Sequence, residues 1–131
     1  MKGEIEMFDV NCSPLMARIY RDGIGYAWPD VDISESADSF VFNFEIPGIL
    51  KDDIKIWIDD DVLTITGEKK NLRDDGQKTI FSDRNFGKFH RSFKLSRQVD
   101  KNNVKADFVN GILVVVIPKS QESKKREITI N

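Results

Sequence analysis

Three features of this sequence carry reactive chemistry in principle. His90 is the only histidine of the chain. An imidazole serves as a general base when the proton it takes lies within hydrogen-bond reach. His90 sits opposite Phe89, Arg91 and Phe93 in an alternating stretch, with no partner nucleophile evident, so a surface or interface histidine is expected. Cys12 is the only cysteine. A thiol becomes a nucleophile beside a base or a cation, and Cys12 stands in no recognisable Cys-His arrangement. Asp59-Asp60-Asp61 gathers three carboxylates and is the one candidate for Ca²⁺. A calcium loop spaces its ligands and ends on a distal bidentate Glu; this run does neither and reads as a solvated turn. The sequence has no glycine-rich phosphate loop, no dinucleotide fingerprint and no clustered metal ligands. The expectation is a protein that is not an enzyme, with no catalytic residue, no cofactor, no metal and no small-molecule substrate.

Composition narrows the partners. The chain has 131 residues, 32% of them charged, with a formal net charge of −2. A nucleic-acid binder presents a basic face, so no nucleic acid is expected. No apolar run reaches the roughly 18 residues of a membrane span, which excludes a stable membrane association through helices. Glu4, Glu6 and Asp9 are unlike the start of a secretory signal. With one cysteine and no export signal, a reducing cytoplasm is the expected setting.

The elements that must position these residues are strands. Val104, Ala106 and Phe108 alternate with Lys105 and Asp107, the period of a half-buried strand. Asn110-Gly111 supplies the positive φ angles of a two-residue hairpin turn. Ile112 to Ile117 is apolar on both faces and should run through the centre of the fold, and Pro118 ends its ladder. Phe40, Phe42, Phe44 and Ile46 share one face of another strand and form the main core wall. Val31 and Ile33 mark a strand before it. Ile54, Ile56 and Ile58 mark one after it, followed by Leu63 and Ile65 in a strand ended by Gly67. Phe89, Arg91, Phe93 and Leu95 continue the alternation. Seven or eight short strands without a long helix predict an all-β, immunoglobulin-like antiparallel sandwich over residues 28–118.

Three segments do not fit a bare sandwich. Residues 1–27 form an arm in which Ser13-Pro14 resembles a helix start. Phe8, Cys12, Leu15, Met16, Ile19 and Tyr20 recur there at roughly helical spacing, so the arm is predicted to be partly helical on a flexible lead. Its apolar face either packs on its own domain or meets other chains. The connection over residues 68–88 is far longer than the usual roughly 4–6 residues, and it contains a strand-like island, Thr79-Ile80-Phe81-Ser82. After Pro118 the chain turns polar from Ser120 to Glu127 and should be flexible. The extension, residues 119–131, ends in Ile128-Thr129-Ile130. Those isoleucines point the same way in an extended segment and need a groove somewhere.

These residues resemble the small heat shock proteins, built on the α-crystallin domain. The matching pieces are Ala106-Asp107-Phe108-Val109-Asn110-Gly111-Ile112-Leu113, Phe44-Glu45-Ile46-Pro47-Gly48 with Asp53-Ile54, and Leu63-Thr64-Ile65-Thr66-Gly67-Glu68. Phe86-Gly87-Lys88-Phe89-His90-Arg91-Ser92-Phe93 and the terminal Ile-x-Ile complete the likeness over about residues 28–130. One departure is Ser96, where the family often has proline after the leucine.

The resemblance implies an ATP-independent holdase that binds unfolding clients and assembles as a homo-oligomer of dimers. The long loop is similar to that of bacterial and plant-type members, where it carries a strand that pairs with the neighbouring subunit's sheet. Here that strand is Thr79, Ile80, Phe81, Ser82 and Asp83, and the family's dimer-interface arginine falls on Arg91. The resemblance also implies that Ile128 and Ile130 dock between the strands of Ile54, Ile56 and Ile58 and of Val104, Ala106 and Phe108. Phe8, Leu15, Met16, Ile19 and Tyr20 would then offer client-binding surface. The competing reading is a monomeric β-sandwich binding module, such as a CS-domain-like adaptor, which has no use for the tail or the long loop.

Overall fold

The computed structural model describes residues 5–9, 28–121 and 127–131. Eight strands occur among them: β1 (Ile5–Asp9), β2 (Asp30–Glu35), β3 (Ser39–Glu45), β4 (Ile54–Asp59), β5 (Val62–Lys69), β6 (Gly87–Lys94), β7 (Lys105–Val109) and β8 (Ile112–Pro118). They form two four-stranded sheets, ordered β1-β6-β5-β4 and β2-β3-β8-β7. Every ladder is antiparallel except β1 on β6, which is parallel.

Alternation decides which side chains face inward. Phe40, Phe42 and Phe44 of β3 are buried, as are Leu113, Val115 and Ile117 of β8, and the register places Phe42 beside Val115. The opposing sheet contributes Leu63, Ile65, Phe89 and Phe93. Phe93 reaches across to Phe42 and Phe44, with ring centroids 5.4 and 5.9 Å apart. Such tilted pairs add to the stabilisation from area alone, by about 0.5–1.5 kcal/mol each.

The hairpin joining β7 to β8 turns at Asn110 (φ 55°) and Gly111 (φ 78°), the pair of positive angles expected from Asn-Gly. A Cβ on Gly111 would lie 2.9 Å from the Pro47 Cα, so this glycine also admits the Pro47-Gly48 turn. The Ile46 amide donates to the Gly111 carbonyl at 2.7 Å and fastens that turn to the hairpin.

Several expectations are corrected. Phe8 lies in β1, so residues 5–9 are extended and paired to β6 rather than helical; the partnership with a sheet edge overrides the spacing. Leu15, Met16, Ile19, Tyr20 and Cys12 lie outside the described residues. Gly67 does not end its strand, because β5 runs on to Lys69. A Cβ at Gly67 would come within 2.6 Å of both the Asp53 carbonyl oxygen and the Phe89 ring. That glycine marks a close approach inside the sheet rather than a stop. By contrast, the strand expected at Thr79 to Ser82 is one that pairs with a second copy, and among the described residues of the single chain it has no ladder.

Candidate interaction site

Among the described residues the two sheets end on strands that lie free on one side: β4 pairs only with β5, and β7 only with β8. Ile54, Ile56 and Ile58 alternate with exposed Lys55, Trp57 and Asp59. These isoleucines are half-buried and pack against the core, as do Val104 and Phe108 beside β7 and in it. A closed sandwich would bury such inward-facing residues fully. Ala106 makes the opening plainest. It pairs with fully buried Val115 and therefore shares the inward face, yet it is exposed. The expected half-burial fails at this position because its methyl is too short to close the edge. These side chains give the free edges β4 and β7 apolar surface, and they are the two strands between which the tail is expected to dock.

Asp61 ties the turn after β4 to the segment that leads into β7. Asp60 and Asp61 turn the chain between β4 and β5 at φ 49° and 66°. The Asp61 carbonyl accepts from the Leu95 amide at 2.7 Å. Its carboxylate contacts Lys101 Nζ at 2.5 Å and Arg97 Nε at 3.8 Å. Lys101 opens the 3₁₀ turn that leads into β7, so this contact links one sheet to the other. The Lys101 hydrogen bond is the largest cause holding the Asp61 carboxyl below the ordinary 3.8; desolvation, next in size, opposes it, and the charges of Lys101, Arg97 and Lys94 add to the lowering. A carboxylate with a depressed folded-state pKa stabilises fully above its unfolded value and loses that contribution as pH falls through the folded one. Stability is therefore expected to fall more steeply below about pH 4 in the natural chain than in Asp61→Asn, which keeps a residue tolerant of positive φ. Thermal melts across pH 2–7 check this, and parallel curves for the two proteins refute the linkage.

The other predicted residues divide into those brought together and those left alone. Ile128 and Ile130 are 85% and 94% exposed, and residues 127–131 form no strand. Ile80 and Phe81 are 98% and 81% exposed in the long connection, and Thr79, Ser82 and Asp83 are exposed as well. Thr79 accepts a hydrogen bond from Arg73 within that connection. Arg91 points inward from β6, stacks over Phe93 at 5.1 Å and donates to the Pro29 carbonyl at 2.6 Å. It thus braces β6 against the start of β2 within one chain. His90 lies half-buried on the outer face of its sheet, with Nδ1 enclosed and unpaired. Among the described residues no group of three or more His, Cys, Asp or Glu could hold a metal ion, and no helix is long and apolar enough to cross a membrane.

A model of the Hsp20/alpha crystallin family matches residues 32–131. The chain belongs to that family. It is 41% identical over 98 residues to the 17.8 kDa class I heat shock protein of Arabidopsis thaliana, covering 73% of this chain and 62% of the relative. It is 35% identical over 107 residues to heat shock protein 16 of Schizosaccharomyces pombe, covering 78% and 74%. The chain thus spans less than two thirds of the Arabidopsis relative's length. Among solved structures, heat shock protein 16.0 of Schizosaccharomyces pombe superposes with a TM-score of 0.67 at 33% identity, over 79% of this chain and 97% of that one. A small heat-shock protein from Xylella fastidiosa, described as having a distinct high order structure, superposes at 0.66 with 32% identity, over 79% and 96%. Membership in the Hsp20 family supports a chaperone role.

Proposed function

We propose that this protein is a cytoplasmic, ATP-independent holdase that keeps unfolding proteins from aggregating and assembles as a homo-oligomer of dimers. The observation that supports the reading is apolar surface along the free edges β4 and β7, which we read as the walls of a groove, in the same chain as an exposed Ile-x-Ile tail. The groove walls are Ile54, Ile56, Ile58, Val104, Ala106 and Phe108, and Ile128 and Ile130 are the apolar side chains sized to enter it. A tail seated in its own groove or in another chain's removes both apolar surfaces from water. A second complementary pair builds the dimer: Thr79 to Asp83 supplies backbone donors and acceptors, and a free sheet edge receives them. With β4 and β7 committed to the groove, β2 is the longer of the two remaining edges. Strand addition at such an edge is a general mode of protein recognition.

Client binding follows from exchange. Ordering the tail costs about 1–2 kcal/mol of backbone entropy per residue, which offsets most of the roughly 3–6 kcal/mol from burying two isoleucines. Each contact therefore opens readily while many together hold the assembly. Vacated grooves and the apolar arm residues Phe8, Leu15, Met16, Ile19 and Tyr20 then meet the apolar surface of an unfolding protein, with no nucleotide required. The polar stretch of the extension keeps loaded complexes dispersed.

The test is light scattering of a heat-labile enzyme at its unfolding temperature. Substoichiometric oligomer is expected to suppress aggregation without ATP. Equal scattering with and without the protein, over a range of ratios, rejects the holdase reading.

A further inference from the structure

Lys69 is an unusual residue for its position. It continues the inward-facing row of Leu63, Ile65 and Gly67 on β5 and is only 7% exposed. Its ammonium lies 6.0 Å from the Trp28 ring centroid and 5.7 Å from that of Phe86. Arg84 stacks on the same Phe86 ring at 4.8 Å. The two cationic heads converge on Gly48. A Cβ built there would lie 3.5 Å from Lys69 Nζ and 3.7 Å from Arg84 Nη2. Among the described residues neither cation has an ion pair or a hydrogen bond.

Two like charges do not converge against apolar rings without cost. Ring faces recover part of the lost hydration, but they do not relieve the mutual repulsion. The same surroundings, burial first and the neighbouring Arg84 second, push the Lys69 ammonium below the ordinary lysine range. An anion between the heads would reverse both effects. Its chemistry is constrained. Two donors on adjacent groups match the two oxygens of one carboxylate, and Trp28 and Phe86 suit its apolar stem. A phosphate would leave further oxygens against apolar rings without donors, which is costly.

We propose that Lys69 and Arg84, walled by Trp28 and Phe86 and given room by Gly48, form a seat for a single carboxylate. The carboxylate comes either from a free small organic acid or from an Asp or Glu side chain of another copy of this chain. This inference is independent of the chaperone reading, because it rests on the cation pair alone.

Trp28 reports on the seat directly. In the full chain carrying Trp57→Phe, which removes the other tryptophan from the signal, acetate is titrated against chloride at constant ionic strength. A saturable change in Trp28 emission specific to acetate is expected. It should be abolished by Lys69→Met and weakened about tenfold or more by Arg84→Gln, the loss of one charge-assisted hydrogen bond. Repeating the titration on dilution separates the sources. A response at every protein concentration assigns the seat to free carboxylates, and one that emerges only as the assembly dissociates assigns it to a side chain of a second copy. An acetate response no different from chloride at all dilutions overturns the proposal, as does one unchanged by Arg84→Gln, an exposed site whose substitution leaves the core intact.

Discussion

Replacing Ile128 and Ile130 together by alanine is expected to collapse the assembly to its smallest building block in size-exclusion chromatography with light scattering. Each isoleucine contributes about 1.5–3 kcal/mol on full burial, so the double variant loses nearly all of the apolar gain of a docked tail. Both side chains stand almost wholly in water in the single chain, so the substitution leaves the sandwich itself untouched and its melting temperature as a monomer should hold. The effect on assembly is amplified because every subunit loses its tail contact at once. Single substitutions should give an intermediate result, with faster subunit exchange at nearly the original mass. Elution of the double variant at the mass of the natural chain would show that other surfaces hold the shell.

Removal of residues 76–83 is expected to leave monomers with an intact sandwich. The segment carries Ile80 and Phe81, two of the most exposed large apolar side chains among the described residues. Its backbone has no ladder partner among the described residues. Both deficits are relieved together if the segment adds to a sheet edge of a second copy, burying two large side chains and pairing several backbone groups. The deletion spares β5 and β6, whose ladder runs from Val62↔Lys94 to Lys69↔Gly87 and does not involve the loop. Circular dichroism should therefore remain that of a β protein while the native mass falls to that of a single chain. A dimer that persists after the deletion means that the subunits pair through other residues, with Arg91 and the β2 edge the next to be tested.

Much of the fold was legible because strands declare themselves locally. Period-2 alternation placed Phe40, Phe42 and Phe44 on one wall, and they are buried as expected. Asn110-Gly111 named its turn because positive φ at two successive residues is a property of those residue types. The Ile-x-Ile pair stood out for lacking any local core. What misled was spacing read without its partner. Phe8 fell on a helical period, yet its segment pairs with β6. Gly67 read as a stop, yet it sits mid-strand where the Asp53 carbonyl and Phe89 approach too closely for a side chain. Lys69 falls within the residues assigned to the long connection, 68–88, yet β5 runs on to include it. Its parity with Leu63 and Ile65 was the available signal, and extending the strand by two residues would have placed it inward.

By itself, then, the sequence determined which residues are extended, which face of each strand is apolar, where the hairpin turns, and that a tail and a long loop have no partner at home. These follow from side-chain period and turn geometry, which depend on neighbours a few residues away. The tertiary structure alone decided which strands share a sheet, and hence that β4 and β7 are edges and that Ala106 lies open between half-buried walls. It also decided that Asp61 meets Lys101 across the two sheets and that Lys69 and Arg84 converge on Gly48. Alternation says which way a side chain points from its own strand; what it meets there depends on chain folded back from far away.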